Sequence, residues 1–410
     1  MSMNETPSSS RVHIAFFGRR NAGKSSLVNA VTGQNLSVVS DIKGTTTDPV
    51  YKAMELLPLG PVVMIDTPGF DDEGKLGELR VRKAKQVLNK TDIAILVLES
   101  QPEEVFLPSG DHSLEAVLSA SEAELIDAFK SRKLPYIIVQ NKCDLNSKNI
   151  YKEVIPVSAK TGFNINLLRV KIASLANKGE SNQQLAADLI KPNDIAVLVT
   201  PIDKAAPKGR LILPQQQTIR DILEAGGISV VVRESELKET LKSLAKKPAI
   251  VITDSQVFAQ VSADVPPDIP LTSFSILFAR YKGWLNTAVR GAAALDNLEH
   301  NDKILICEGC THHRQCDDIG TVKLPKMIKN HASKELQFTF FSGGDFPEDL
   351  SSYKLVVHCG ACMLNEREMQ FRRRCAEEQN IPFTNYGITM AHIQGILRRS
   401  IAVFNIDEAV

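Results

Sequence analysis

Between the apolar run "VHIAFFG" and the apolar helical pattern "SLVNAVTG", the chain carries Gly18-x4-Gly23-Lys24-Ser25. No other feature restricts its fold as much. Glycines at this spacing, between a strand and a helix, let backbone N–H groups curl around an anion while the helix N-terminus adds its positive end. Gly18, Asn21, Ala22, Gly23, Lys24, Ser25 and Ser26 then form a phosphate-binding loop. In it Lys24 reaches the terminal phosphates and Ser25 ligates Mg²⁺. The surrounding runs "VVMIDTPG", "IAILVLE" and "PYIIVQNKCD" are near-continuous and apolar, the pattern of parallel strands covered on both faces.

Three further stretches narrow the nucleotide. "DTPG" closes the second apolar run, placing Asp66 to hold Mg²⁺ through water and Gly69 to bond a γ-phosphate through its N–H. "NKCD" ends a later strand with Asn141, Lys142 and Asp144; a carboxylate there accepts from guanine N1–H and N2–H₂, which adenine cannot offer. "SAK", Ser158, Ala159 and Lys160, supplies a backbone donor to guanine O6.

These elements in this order resemble the translation-factor-like GTPases. "GRRNAGKSSLVNA" and "GTTTDPV" are similar to the branch that contains MnmE and Era. The resemblance implies GTP/GDP and Mg²⁺ as ligands, and a K⁺ ion held by Asn21 in place of an arginine finger. Thr45, Thr46 and Thr47 of the first switch could each ligate Mg²⁺ and the γ-phosphate, and the resemblance favours Thr46. Lys24, Thr46, Asp66 and Gly69 are the expected catalytic set. Phe70 stands where Ras-like enzymes have a water-orienting Gln, so slow intrinsic hydrolysis is expected, with Asp71, Asp72 and Glu73 as an acidic switch face.

Lys+Arg and Asp+Glu both number 48, so no overall basic field asks for nucleic acid. No run approaches the roughly 20 apolar residues that span a bilayer. A cytoplasmic protein without nucleic-acid or membrane partners is expected. The fold class is α/β throughout: a P-loop GTPase domain over 8–176, a polar linker "ANKGESNQQ", a small dimerisation domain over 186–264 with almost no reactive groups, and a third α/β domain over 265–410. No internal repeat is visible.

Six of the seven cysteines and five of the eight histidines follow residue 306. In a cytosolic chain such bunching reads as a metal site rather than disulfides. Cys307/Cys310 and Cys359/Cys362 are both C-x2-C pairs, so a four-thiolate zinc site stays open on chemistry alone. "KLVVHCGACMLNEREM" puts Cys359 and Cys362 where a strand turns into a helix, and the helix dipole is expected to lower their thiol pKa there. Soft thiolates suit zinc and iron–sulfur equally.

Cys310-x-His312, 45 residues, then His358-Cys359-x-x-Cys362, together with "LILPQQQTIRDILEAG", resembles the FeFe-hydrogenase maturation GTPases, the HydF family. The resemblance covers essentially the whole chain. It implies a homodimer, a 4Fe–4S cluster on Cys310, Cys359 and Cys362, and a scaffold or carrier role for the two-iron precursor of the hydrogenase active site. Apo FeFe-hydrogenase and radical-SAM hydrogenase maturases are the implied partners.

Three thiolates leave one iron exchangeable. His312, His358 and Asp317, with Cys316, are candidates for the fourth position or for outer contacts. Cys307 reads otherwise as a strand-end core thiol and Cys316 as a loop thiol, with Cys375 half-buried on a helix and His313 in solvent. Arg367, Arg372, Arg373 and Arg374 read as a solvated helix face. The competing reading is a zinc-stapled regulatory GTPase in RNA modification or ribosome assembly. Balanced charge and the lack of an aromatic-plus-basic platform count against it.

Overall fold

A computed structural model describes residues 6–34, 48–69, 83–99, 114, 118–145, 153–176, 184–202, 211–309, 318–404 and 406. Residues 1–181 and 182–410 form two compact units.

The first unit is built on six strands: β1 Val12–Phe17, β2 Val50–Leu56, β3 Gly60–Asp66, β4 Ile93–Glu99, β5 Tyr136–Asn141 and β6 Val154–Pro156. They lie in the order β2-β3-β1-β4-β5-β6, parallel except where β2 runs antiparallel to β3. Alternate residues of β1 and β4 enter cores on the two faces of the sheet, which is why both strands read as unbroken apolar runs. The edge strand β2, "VYKAMEL", is mostly exposed and lacks that signal, so no strand was expected there. Helix α1 (Lys24–Thr32) runs between Gly23 and Gly33, both left-handed. Helix α2 (Ala120–Ser131) starts on a capping box: Ser119 Oγ accepts from Glu122 N–H, and the Glu122 carboxylate from Ser119 N–H. Helix α3 spans Ile165–Ala176.

The second unit holds two four-stranded sheets, each wholly parallel. One is ordered β10-β9-β7-β8, from β7 Ile195–Val199, β8 Ile228–Val232, β9 Ile250–Thr253 and β10 Leu271–Ser273. The other is ordered β12-β11-β13-β14, from β11 Lys303–Glu308, β12 Gln337–Ser342, β13 Leu355–His358 and β14 Phe383–Asn385. In chain order the helices are α4 Leu213–Glu224, α5 Leu237–Ser243, α6 Phe258–Asp264, α7 Phe274–Tyr281, α8 Leu285–Ala292, α9 Leu324–Ala332, α10 Glu366–Glu378, α11 Tyr386–Ile393 and α12 Leu397–Ile401.

The two sheets have the same topology: in each, the first strand in chain order sits between the second and the third, with the fourth beyond. Details repeat as well. Asn193 and Asn301, each just before a first strand, both take φ +67°. The carboxylates of Asp194 and Asp302 accept from the N–H three residues upstream. "IPLTSFSILFARYKGWL" (269–285) and "IPFTNYGITMAHIQGIL" (381–397) share Ile, Pro, Thr, Ile, Ala, Gly and Leu in register. Ser273 and Asn385 both N-cap the helix that follows, accepting from Ile276 and Ile388 N–H. The unit is therefore an internal duplication, contrary to the expectation of no repeat. Identity survives at turn residues (Asn193/Asn301, Asp194/Asp302, Pro270/Pro382, Gly283/Gly395) and at buried positions (Thr272/Thr384, Ile276/Ile388, Ala279/Ala391), and little of it in the chemistry-bearing loops.

The halves exchange their last helices. α8 packs on β14, so closely that a Cβ on Gly291 would lie 2.2 Å from the Phe383 carbonyl oxygen. α12 packs on β10, and its Arg399 donates to the carbonyls of Ser262, Val265 and Pro266. One continuous core runs from Val197 and Val251 to Ile304 and Val356. The first sheet takes its fourth strand from Leu271–Ser273, so it extends past residue 264, where the dimerisation domain was expected to end.

Candidate functional site

The phosphate loop is held by close backbone packing. Gly18 has φ +153°, and a Cβ there would meet the Val97 carbonyl oxygen at 2.4 Å. A Cβ on Gly23 would meet Asn141 Nδ2 at 2.2 Å. Only glycine fits either position. Lys24 is buried, its Nζ donating to Gly18 O (2.8 Å) and Arg19 O (2.7 Å), so the loop wraps its own cation. Ser25 Oγ donates to Asp66 Oδ2 at 2.5 Å, which sets the two expected Mg²⁺-side oxygens together. Thr67 Oγ1 donates to Phe16 O and fixes the "DTPG" turn to β1, while Gly69 lies against the backbone of Arg20. Asn21 is exposed with φ +62°, Ala22 is buried and Ser26 half-buried.

The stretches expected to read the base adjoin the phosphate loop. Asn141 donates through Nδ2 to Ala22 O (3.0 Å) and accepts at Oδ1 from Ala159 N–H (3.1 Å), tying the phosphate loop to "SAK". Ser158 Oγ donates to Asp144 Oδ1 at 2.6 Å. That bond, aided by Lys160 and Lys142, holds the exposed Asp144 carboxyl below its ordinary value and so ionised. Lys142 takes φ +62° and pairs with Glu99. Thr45, Thr46, Thr47, Phe70, Asp71, Asp72 and Glu73 lie outside the described residues.

The second site lies at the carboxyl ends of β11 and β13, the neighbouring strands from which crossovers leave in opposite directions, where open α/β sheets bind ligands. Cys359 N–H donates to Cys307 O, and Cys359 Sγ accepts from Gly309 N–H (3.1 Å) and Ala361 N–H (3.4 Å). Cys362 sits in the turn before α10, whose N-cap is Asn365. The residue after Gly309 is Cys310; it lies outside the described residues, as do His312, His313, Cys316 and Asp317.

The expectation of lowered thiol pKa values is corrected. Burial raises Cys359 and pushes Cys362 up to about 11, outweighing the neighbouring N–H groups and, for Cys362, Lys282. Buried thiolates of this kind need a cation to hold their charge. Cys307 is fully buried inside β11, with its thiol pushed up to about 12, in the manner of a core residue.

His358 was expected as a fourth ligand or as an outer contact, and its hydrogen bonds suit the second role. It is fully buried, with Nδ1 donating to Cys359 O (2.9 Å) and Nε2 accepting from Arg372 (3.0 Å), so both ring nitrogens are engaged. Burial and the adjacent guanidinium push its pKa down to about 3, and the ring is neutral. Arg372 in turn is fully buried, bonded to Glu368 and Gly343 O, rather than on a solvated face. Arg373 reaches Gly283 O, and Arg374 is exposed.

Two groups were missed in the sequence. Lys282, buried, donates to the carbonyls of Ala361 (2.7 Å) and Leu364, placing an ammonium under the Cys359–Cys362 turn. Burial lowers its pKa to about 8, opposed by Cys362, Cys359, Glu366 and Glu368. Glu308 is buried at the end of β11, where Tyr386 donates to it. Neither stands in a motif: Lys282 belongs to the other half of the duplication. Soft buried donors, N–H groups aimed at sulfur and a nearby cation together suit an anionic thiolate-bound metal cluster.

Three family models match successive stretches of the chain. Residues 13–142 match the family model "50S ribosome-binding GTPase". Residues 185–283 match "Hydrogen maturase F dimerization domain", and 286–403 match "Hydrogen maturase F tetramerization domain". GTPase Der of Wolinella succinogenes is 37% identical over 188 residues, covering 42% of this chain and 36% of that protein. The tRNA modification GTPase MnmE of Xanthomonas euvesicatoria is 31% identical, covering 40% and 34%. GTPase Era of Heliobacterium modesticaldum is 26% identical, covering 49% and 74%. The chain thus spans about a third of the length of the first two relatives. A solved structure of Aquifex aeolicus Era bound to GDP·AlF4⁻ superposes with a TM-score of 0.33 at 20% identity, covering 57% of this chain and 98% of that one. Among the described residues no helix is long and apolar enough to cross a membrane. With a GTPase domain followed by the two domains that define hydrogen maturase F, the chain belongs to the hydrogen maturase F family.

Proposed function

We propose that this protein is a cytoplasmic GTP-hydrolysing scaffold that holds a 4Fe–4S cluster on Cys310, Cys359 and Cys362 and assembles or delivers the two-iron precursor of an FeFe-hydrogenase. Apo-hydrogenase and the radical-SAM maturases are its partners, and it works as a homo-oligomer. The observation that carries this reading is the Cys359–Cys362 turn: a sulfur fed by two N–H groups, with the Lys282 ammonium beneath. Bound there, the cluster would supply an iron that no cysteine holds, open to exchange. His312 and Asp317 stay as candidates for that iron, since the ring nitrogens of His358 are taken.

In the GTPase domain Lys24 and the loop N–H groups neutralise the phosphates, and Ser25, Asp66 and Thr46 hold Mg²⁺. Gly69 reports the γ-phosphate. Asn141, Asp144 and Ser158 to Lys160 select guanine, and Asn21 holds K⁺. Potassium over sodium should raise the hydrolysis rate.

Purification without oxygen tests the reading. Brown protein absorbing near 400 nm, with iron lost in Cys359→Ser while GTP hydrolysis persists, supports it. Colourless protein with one zinc on the same cysteines would replace it with the zinc-stapled GTPase.

A further inference from the structure

A second cluster of metal-ligating groups stands apart from the cysteines. Asp296, in the turn after α8, faces His331 in the last turn of α9 and His392 in the last turn of α11. His331 Nε2 lies 2.7 Å from Asp296 Oδ1, and His392 Nε2 lies 2.9 Å from Oδ2. One ligand atom from each of the three residues falls within 4.8 Å of the others, and the imidazoles meet edge to face at 5.9 Å. The side chains are 52%, 25% and 20% exposed, so an ion can enter from solvent while the rings are held by packing.

The duplication shows what this position does otherwise. Residues 187–199 align with 295–307 without a gap, through Asn193-Asp194 and Asn301-Asp302, which makes Asp188 the counterpart of Asp296. Register along 269–285 and 381–397 makes Arg280 the counterpart of His392. In the first half those counterparts form a bidentate ion pair, Arg280 Nη1 to Asp188 Oδ1 at 3.0 Å and Nη2 to Oδ2. An arginine has no lone pair to give a metal. The second half keeps the carboxylate and surrounds it with two imidazoles instead.

We propose that Asp296, His331 and His392 bind a borderline divalent first-row cation of the zinc class. Imidazole and carboxylate suit such ions, and three protein ligands leave a fourth position to water. Metal–ligand bonds of about 2.0–2.1 Å put tetrahedral donors roughly 3.4 Å apart, so the two nitrogens close on the ion as the exposed carboxylate swings outward. Each imidazole then carries its proton on Nδ1 and offers the Nε2 lone pair. The ion would staple the ends of α9 and α11 to the segment after α8.

The test uses the full-length chain with Cys310, Cys359 and Cys362 changed to Ser, titrated with Co²⁺ and, separately, Zn²⁺. One cobalt per chain should bind with a visible d–d band and no thiolate-to-cobalt charge transfer in the near ultraviolet. His331→Ala should weaken binding by at least about tenfold. His392→Arg restores the ion pair of the first half; it should keep the metal-free melting temperature while losing the cobalt band and the stabilisation by zinc. A charge-transfer band, or cobalt bound equally well by His392→Arg, would overturn the site. Absence of any binding would reduce the trio to a hydrogen-bonded ion pair.

Discussion

The two halves of residues 182–410 share a strand order, an Asn-Asp entry to the first strand and a capped strand–helix turn, but only the second carries thiols in its sheet-end loops. The difference is local. Asp254 N–H donates to Val199 O just as Cys359 N–H donates to Cys307 O, so Asp254 occupies the place of Cys359. In the first half that side chain caps a helical turn by accepting from Gln256 N–H. In the second its counterpart is a sulfur fed by Gly309 and Ala361. A duplicated frame supplies position, and substitution at a few loop residues supplies chemistry.

Equivalent substitutions in the two halves should therefore give unequal results. The largest contrast is in iron: Cys359→Ser should lower iron content at least about tenfold, whereas Asp254→Ser, which keeps a capping oxygen, should leave it unchanged. Equal iron loss in both would break the comparison. Next comes the exchanged helix. Gly291→Val drives a side chain into the backbone of β14 and should cost about 3 kcal/mol, on the order of 10 °C in melting temperature. Its counterpart change, Val403→Ala in the half-buried rim of the core, should cost about 1 kcal/mol.

Lys282→Met removes the cation beneath the cysteine turn. If the cysteine turn holds the proposed cluster, its reduction potential should fall by roughly 60 mV, a tenfold effect for one electron, measured by redox-titrated spectroscopy. Gln394→Met, at the matching position, should not move it. The smallest effect is expected at the caps. Ser273→Ala should cost about 1 kcal/mol in urea unfolding. Asn385→Ala should cost more, because Asn385 Nδ2 also donates to Ser275 O.

The nucleotide site was legible because its motifs are contiguous and each rests on backbone geometry: Gly18 and Gly23 admit no side chain, and Asn141 bonds two loops at once. The cysteine turn was legible as spacing. Its electrostatics were not, since the burial that raises the thiols and the Lys282 that answers them come from the tertiary fold. Which of its two expected roles His358 suits was not legible, because Arg372, fourteen residues on, reads as a surface residue yet reaches back from α10 to its ring. The duplication escaped notice because the shared residues are few and scattered over turns and buried positions, while the strands repeat mainly as apolar runs that any buried parallel strand would show.

The exchange of α8 and α12 also sets a timetable. The first sheet is complete in sequence at Ser273, yet a helix that covers β10 is Leu397–Ile401, over a hundred residues later. At ribosomal rates of about 5–20 residues per second, that sheet waits on the order of ten seconds for its cover. A nascent chain halted before residue 397 should therefore leave open the side of β10 that Leu397–Ile401 covers in the finished fold.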